Sequence, residues 1–264
     1  MKRLLPAAAA ILAAACAPAL REPPPVTALA TKAASGSAAE LLAEAEARWK
    51  LRPDVTSVRE AEKLFLQAAR ADDGDATGFV GAVRAKAWLV DHLHDVATRE
   101  ADAVSAVQTA QWCTRRRPDL AACDFWLAIA VGLQAREVRP TAESGMKTMV
   151  EALERAIAKD PAYERGGPHR VLALVLLRAP GWPLGPGDAD AGLVHARAAV
   201  ALAPDYAPNV LALAEAHADL RDRTEAKSNY EKARALALAA KAAGDPEADE
   251  WIAEAERGTA ASAK

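Results

Sequence analysis

Three side chains in this 264-residue chain can form covalent bonds through sulfur: Cys16, Cys113 and Cys123. The last two stand five residues either side of Pro118, within QWCTRRRPDLAACDFW. If Pro118 marks the turn of an antiparallel helical hairpin, residues equidistant from that turn face one another across it. A disulfide there is sterically reasonable, and an extracytoplasmic address would permit it. The other reading is two buried thiols acting as small apolar side chains. Neither cysteine has a histidine nearby or a C-x-x-C spacing, so thiol catalysis is not expected. His92 and His94, flanked by Asp91 and Asp95, invite a metal reading. Helical residues two apart point to different sides, which makes a solvated helix end the better account, and no metal or other cofactor is expected. No metalloprotease, nucleophile-elbow, phosphate-loop or dinucleotide fingerprint occurs, so no catalytic residue is assigned and the chain does not read as an enzyme.

Cys16 has a different context. Lys2 and Arg3 form a charged start, Leu4 to Ala15 form an apolar run, and small residues precede the cysteine, as in a cleaved signal peptide. Arg21 and Glu22 close the apolar run before it reaches the roughly 20 residues a membrane span needs. The segment resembles a lipobox, with Leu12 four positions before the cysteine and Ala13 where that motif usually has leucine. The resemblance implies that Cys16 becomes an acylated N-terminus on a periplasmic lipoprotein. Ala17, in place of an aspartate, favours the outer membrane. The alternative is a secretory signal with an incidental cysteine. The expected organisation is a signal peptide over 1–15, a lipidated tether rich in Pro, Ala and Ser over 16–36, a folded domain over 37–258 and a disordered tail over 259–264.

The elements that must position these residues are helices. Hydrophobic residues make up 52% of the chain but aromatics only 5%, because alanine supplies much of the total. Abundant Ala, Leu, Glu, Arg and Lys argue for an all-α chain whose helices approach closely. Loss of Lys2 and Arg3 with the signal takes the net charge from −3 to −5, a surface that does not seek nucleic acid. Pro118, Pro161 and Pro204 are 43 residues apart, and five residues before each stands a small residue, Cys113, Ala156 and Ala199. That period is a repeat signature. Two copies without the proline carry Ala61, Phe65 and Ala68, and Ala226, Tyr230 and Ala233, each trio on one helix face. Helices are predicted over 38–51, 57–72, 76–93, 97–116, 120–138, 141–159, 167–178, 188–203, 206–221, 223–243 and 246–257. Each pair buries its apolar face only by stacking on its neighbours, which gives a superhelix with a concave surface.

The small, aromatic, small pattern followed by proline resembles the second helix of tetratricopeptide repeats, and the interval from Ala199 to Ala233 is 34 residues, that family's own period. Partial counterparts of the first helix are Phe125, Trp126 and Ala130, and Val210, Leu213 and Ala214. A closer resemblance, over about residues 100–237, is to the T component (TatT) of tripartite ATP-independent periplasmic (TRAP) transporters. It is carried by FWLAIAVGLQARE at 125–137 and GGPHRVLALVLLRAPGWPLGPGDADAGLVHARAAVALAPDY at 166–206. The resemblance implies a helical-repeat lipoprotein, sometimes oligomeric, that binds a periplasmic solute receptor and passes hydrophobic ligand through a pore.

Within these segments the candidate contact residues for a partner or ligand are Trp126, His169, Arg170, Trp182 and Asp188. The loop RAPGWPLGPGD at 178–188 is too rich in Pro and Gly to be helical. Trp182 is either a contact anchor on a stiff loop or, with Leu184, a seal over the end of the repeat core. His169 and Arg170 either point into the groove or cap their helix, and Arg115 to Arg117 complement a helix end. The expected function is a lipid-anchored, non-enzymatic protein-binding accessory resembling the TRAP T component, touching membrane through its lipid only. The alternative is a lipoprotein that holds a small hydrophobic molecule or lipid in an apolar pore. A wide polar groove favours the first and an apolar channel the second.

Overall fold

The computed structural model describes residues 17–28 and 36–262. The expected signal peptide, 1–15, and Cys16 lie outside the described residues. The described chain forms eleven α-helices: α1 (Ala38–Trp49), α2 (Val55–Ala71), α3 (Thr77–His92), α4 (Val96–Arg116), α5 (Ala121–Glu137), α6 (Ala142–Lys159), α7 (Tyr163–Arg178), α8 (Ala189–Leu202), α9 (Ala207–Asp219), α10 (Arg223–Ala242) and α11 (Ala248–Ser262). Short polar side chains start several of them. Ser37 and Glu40 form a reciprocal capping box on α1, while Asp54, Asp95, Asp188 and Asp222 accept from backbone amides at the starts of α2, α4, α8 and α10.

Successive helices pack on one another, and each odd-numbered helix also touches the next odd-numbered one, from α1 through α11. The even-numbered helices make no comparable contact among themselves within the described residues. Odd helices therefore form one layer and even helices a second layer behind it, a stack of helical hairpins. The 43-residue proline period is visible in the backbone. The first amide after α4, α6 and α8 bonds back to the carbonyl of Cys113, Ala156 and Ala199 at 2.9, 2.9 and 3.1 Å. All three small residues are buried, which lets neighbouring helices approach. Between α2 and α3 the approach is closer still: a Cβ on Gly81 would lie 2.4 Å from the Phe65 ring, so only glycine fits.

Cys113 at the end of α4 and Cys123 at the start of α5 are joined as a disulfide, with Cα atoms 5.3 Å apart. The basic helix end beside it is bound rather than free. Arg116 donates to carbonyls of Ala69, Asp72 and Asp75, closing the C-terminus of α2, and Arg115 pairs with Glu22 at 2.7 Å.

Three expectations need adjustment. The tether is docked over residues 17–28, where Ala19 and Pro23 are buried and Trp112 Nε1 donates to Pro24 O at 2.8 Å. Helix α11 runs on to Ser262 through the expected tail, because Ala, Thr and Ser continue the helix and Thr259 and Ser262 hydroxyls donate to the carbonyls four residues earlier. Ahead of the predicted start of α7 lies a left-handed turn, Glu164 to Gly166, with φ of 48°, 59° and 79°. Among the described residues no helix is long and apolar enough to cross a membrane.

Candidate functional site

The odd-numbered helices wall a cavity of about 730 Å³, within the size range of ligand sites. Trp49 reaches it from α1, Arg84 and Trp88 from α3, Trp126 from α5, Arg170 from α7, and Tyr206 from the turn before α9. Arg52 follows α1, Glu247 precedes α11 and Glu250 lies in its first turn, so both ends of the stack contribute. His92 Nε2 stands 4.0 Å from Glu250 Oε1 across that closure.

The lining alternates aromatic faces with guanidinium groups. Arg52 lies over the Trp49 ring at 3.8 Å and Arg84 lies 4.7 Å from the same ring, so one indole is shared by two cations. Arg84 is held by Glu46 at 2.5 Å, while its Nε is buried with no hydrogen-bond partner. His92 stacks on Trp88 with ring centroids 3.9 Å apart and shares a 2.8 Å hydrogen bond with the Trp88 carbonyl. Trp126 donates through Nε1 to the Tyr163 hydroxyl at 3.0 Å, and burial pushes that phenol up to about 12.

Arg170 reaches the cavity half-buried. It donates to Asn209 Oδ1 at 2.9 Å, and burial holds its guanidinium below the usual range for arginine. Arg52 is lowered by burial as well, against the opposing pull of Glu247, whose own carboxyl burial raises. Glu164, on the left-handed turn, completes this side of the wall. Arg165 on the same turn stacks 4.0 Å over Tyr206, and Asn209 Nδ2 donates to the Arg165 carbonyl at 2.9 Å, so a turn that L-residues rarely adopt is fastened by aromatic and amide contacts. The cavity is polar and of mixed sign.

The structure brings two of the five candidate contact residues together here, Trp126 and Arg170. His169 turns the other way and meets His195 of α8, with Nδ1 to Nδ1 at 2.9 Å; burial lowers both imidazoles. Asp188 is the N-cap of α8, accepting from Ala191 N at 3.0 Å. Trp182 sits outside the cavity and is 90% exposed, with Leu184 74% exposed, so the loop does not seal the core. His92 is the last residue of α3 and exposed, the solvated helix end that was expected, and its ring also borders the cavity. Sequence reasoning missed Trp49, Arg52, Arg84, Trp88, Tyr206 and Glu247. One signal was present: Trp49, Trp88 and Trp126 recur at 39 and 38 residues, close to the repeat interval.

No family model matches the chain, and no curated protein matches it. Among solved structures, it is similar to TTC0263, a thermophilic TPR protein of Thermus thermophilus. The TM-score is 0.59 at 19% identity, over 83% of this chain and 98% of that one. The MamA protein aligns with a TM-score of 0.48 at 14% identity, over 77% of this chain and 93% of that one. With the two-layer helical stack, the first likeness establishes the class: an all-α, tetratricopeptide-like helical-repeat fold.

Proposed function

We propose that the protein is a lipid-anchored periplasmic binding protein, attached through Cys16 to the outer membrane, whose cavity receives a segment of a protein partner. It acts without catalysis, as an accessory of solute transport in the manner of the TRAP T component, with a periplasmic solute receptor as the partner. The observation that carries the reading is the lining. Arg52, Arg84 and Arg170 with Glu164 and Glu247 make a polar site, in which stacked aromatics offer large contact area at low entropic cost. A small hydrophobic molecule filling the cavity would strip water from these charges without offering them partners, which is costly. A peptide supplies carbonyls, amides and side chains to match them.

The test is a photo-crosslinking amino acid placed at Trp88, inside the cavity, and at Lys63 on α2, in cells producing the full-length protein. A discrete protein adduct from position 88, absent from 63 and lost when Arg52→Glu is added, supports the reading. Native mass spectrometry that finds a co-purifying apolar molecule, with no protein adduct from position 88, supports the ligand-carrier alternative. Genes for a transporter permease and receptor beside this one would support the transport assignment.

A further inference from the structure

The stretch that joins Cys16 to the folded domain is tied down at its first described residue. Ala17 donates its amide to Pro140 O at 2.8 Å, and its carbonyl accepts from Ser144 Oγ at 2.9 Å. The amide of Ala19 donates to the same hydroxyl at 2.9 Å, and Ala19 is buried. In the chain Cys16 directly precedes Ala17, which is fastened to Pro140 and to Ser144 in the first turn of α6. A lipid on Cys16 therefore leaves the protein at one defined place instead of at the end of a long leash.

Ser144 also lines a second cleft. Its near wall is the start of α6, with Met146, Lys147 and Val150, and its far wall is Pro183 to Pro186 of the 178–188 loop. That loop is pinned shut: Gly187 N donates to Pro180 O at 2.9 Å, Leu184 N to Gly181 O at 3.0 Å, and Asp188 N to Leu176 O at 2.9 Å. Gly187 is required there, since a Cβ would stand 2.2 Å from Ala179 O. On this ordered loop Trp182 and Leu184 are held almost wholly in water. Two large apolar side chains exposed two residues apart on one loop mark a contact surface.

We propose that this face seats the protein on its own membrane. With Cys16 acylated, the lipid enters the bilayer beside the first turn of α6, and Trp182 and Leu184 enter the boundary between headgroups and acyl chains of the same leaflet. The inference rests on the acylation of Cys16 proposed above. Indole suits that boundary, having an apolar body and one N–H donor for the headgroup layer. Lys147 stands in the cleft with Glu143 and Glu151, so the patch carries no net attraction for anionic headgroups. The contact is apolar, and it persists in high salt. One lipid attachment leaves a domain free to swivel; a second contact next to it fixes which face looks away from the bilayer.

The experiment uses the full-length protein purified from membranes, carrying a single added thiol at Leu184→Cys or, for comparison, at Leu238→Cys on α10. Each is labelled with an environment-sensitive dye and reconstituted into phosphatidylethanolamine vesicles. On protein shown by mass spectrometry to be acylated, the dye at 184 should be quenched severalfold more by nitroxide-bearing lipid than by aqueous iodide. The dye at 238 should show the reverse, and high salt should change neither. Equal iodide quenching at both positions on acylated protein overturns the inference and leaves the acylation reading intact. Shielding of position 184 by an added protein, with no quenching by nitroxide lipid, overturns it too. An unmodified Cys16 overturns the acylation reading and this inference together.

Discussion

Arg170 Nη1 donates to Asn209 Oδ1 at 2.9 Å, and that one bond orients an amide on which three helical elements depend. With its oxygen committed to the guanidinium, Asn209 turns its Nδ2 toward the carbonyls of Arg165, Ala199 and Ala203 at 2.9, 2.8 and 3.2 Å. The residue is fully buried. It links the left-handed turn before the regular part of α7, the end of α8 and the start of α9, and it holds Arg170 at the cavity wall.

Replacing Asn209 with leucine keeps the branching and heavy-atom count of the side chain and removes every one of those bonds. The carbonyls each lose one donor, with Ala199 O and Ala203 O keeping their bonds from Ala203 N and Tyr206 N, and the Arg170 guanidinium loses an acceptor in a desolvated place. Each stranded group costs about 1–3 kcal/mol, more where charge is involved, so Asn209→Leu should lower stability by about 3 kcal/mol. Urea denaturation measures it; a loss below about 0.5 kcal/mol, the range of ordinary surface substitutions, would show that the amide is not the fastening point.

Arg170 was legible as a site residue and Asn209 was not, for a physical reason. An asparagine in the first turn of an Ala-rich helix reads as a solvated terminal residue, and nothing local says that two other helix ends converge on it. The eleven helices were readable because their apolar period, caps and proline stops are local. The cavity was not, because it is built by residues far apart in sequence, Trp49 and Glu247 among them, whose meeting depends on the curvature of the stack. Lys86 makes the same point: it reads as surface charge, yet it is buried in α3 and paired with Glu62 at 2.5 Å. Trp182 was legible as distinctive without its surroundings being so, since aperiodic Pro-Gly sequence gives no register from which to infer burial.

The paired imidazoles of His169 and His195 should make stability depend on pH. Burial lowers both below the ordinary value near 6.5, so the unfolded chain takes up protons first as pH falls. Their contribution is complete above about pH 6.5 and declines as pH drops through that value toward the lowered folded-state values. Glu247 and Glu254, raised by burial, act in the opposite sense, so the variant comparison is the informative one. The melting temperature of the wild type should fall more between pH 7.5 and 5 than that of His169→Gln/His195→Gln. Parallel falls would show that the pair does not govern this window.

The Cys113–Cys123 bridge closes a loop with a sequence separation of 10. On the chain-entropy account, a closure of that length stabilises by about 3 kcal/mol by restricting the unfolded ensemble. Cys113→Ala/Cys123→Ala should therefore unfold at lower guanidinium concentration than the oxidised wild type, with the gap narrowing when the wild type is reduced. Two alkylatable thiols in protein that has never met a reductant would remove the bridge.

Trp182 and Trp88 offer a paired test of which tryptophan serves the fold and which the site. Trp182 is 90% exposed, so its ring contributes almost nothing to core packing, and Trp182→Ala should move stability by less than about 0.5 kcal/mol. Trp88 is half-buried, stacked against His92, and faces the cavity. Trp88→Ala removes that stack and part of the cavity wall, which should cost about 1–2 kcal/mol of stability, toward the lower end for stacked rings and partial burial. It should also abolish capture of a partner by a crosslinker moved to the neighbouring wall position Ala87. Trp182→Ala should leave that capture unchanged, because the loop lies outside the cavity. Equal loss of capture in both variants would join the loop to the cavity as one recognition surface, and a stability loss near 3 kcal/mol for Trp182→Ala would mean that the loop packs against the core in solution.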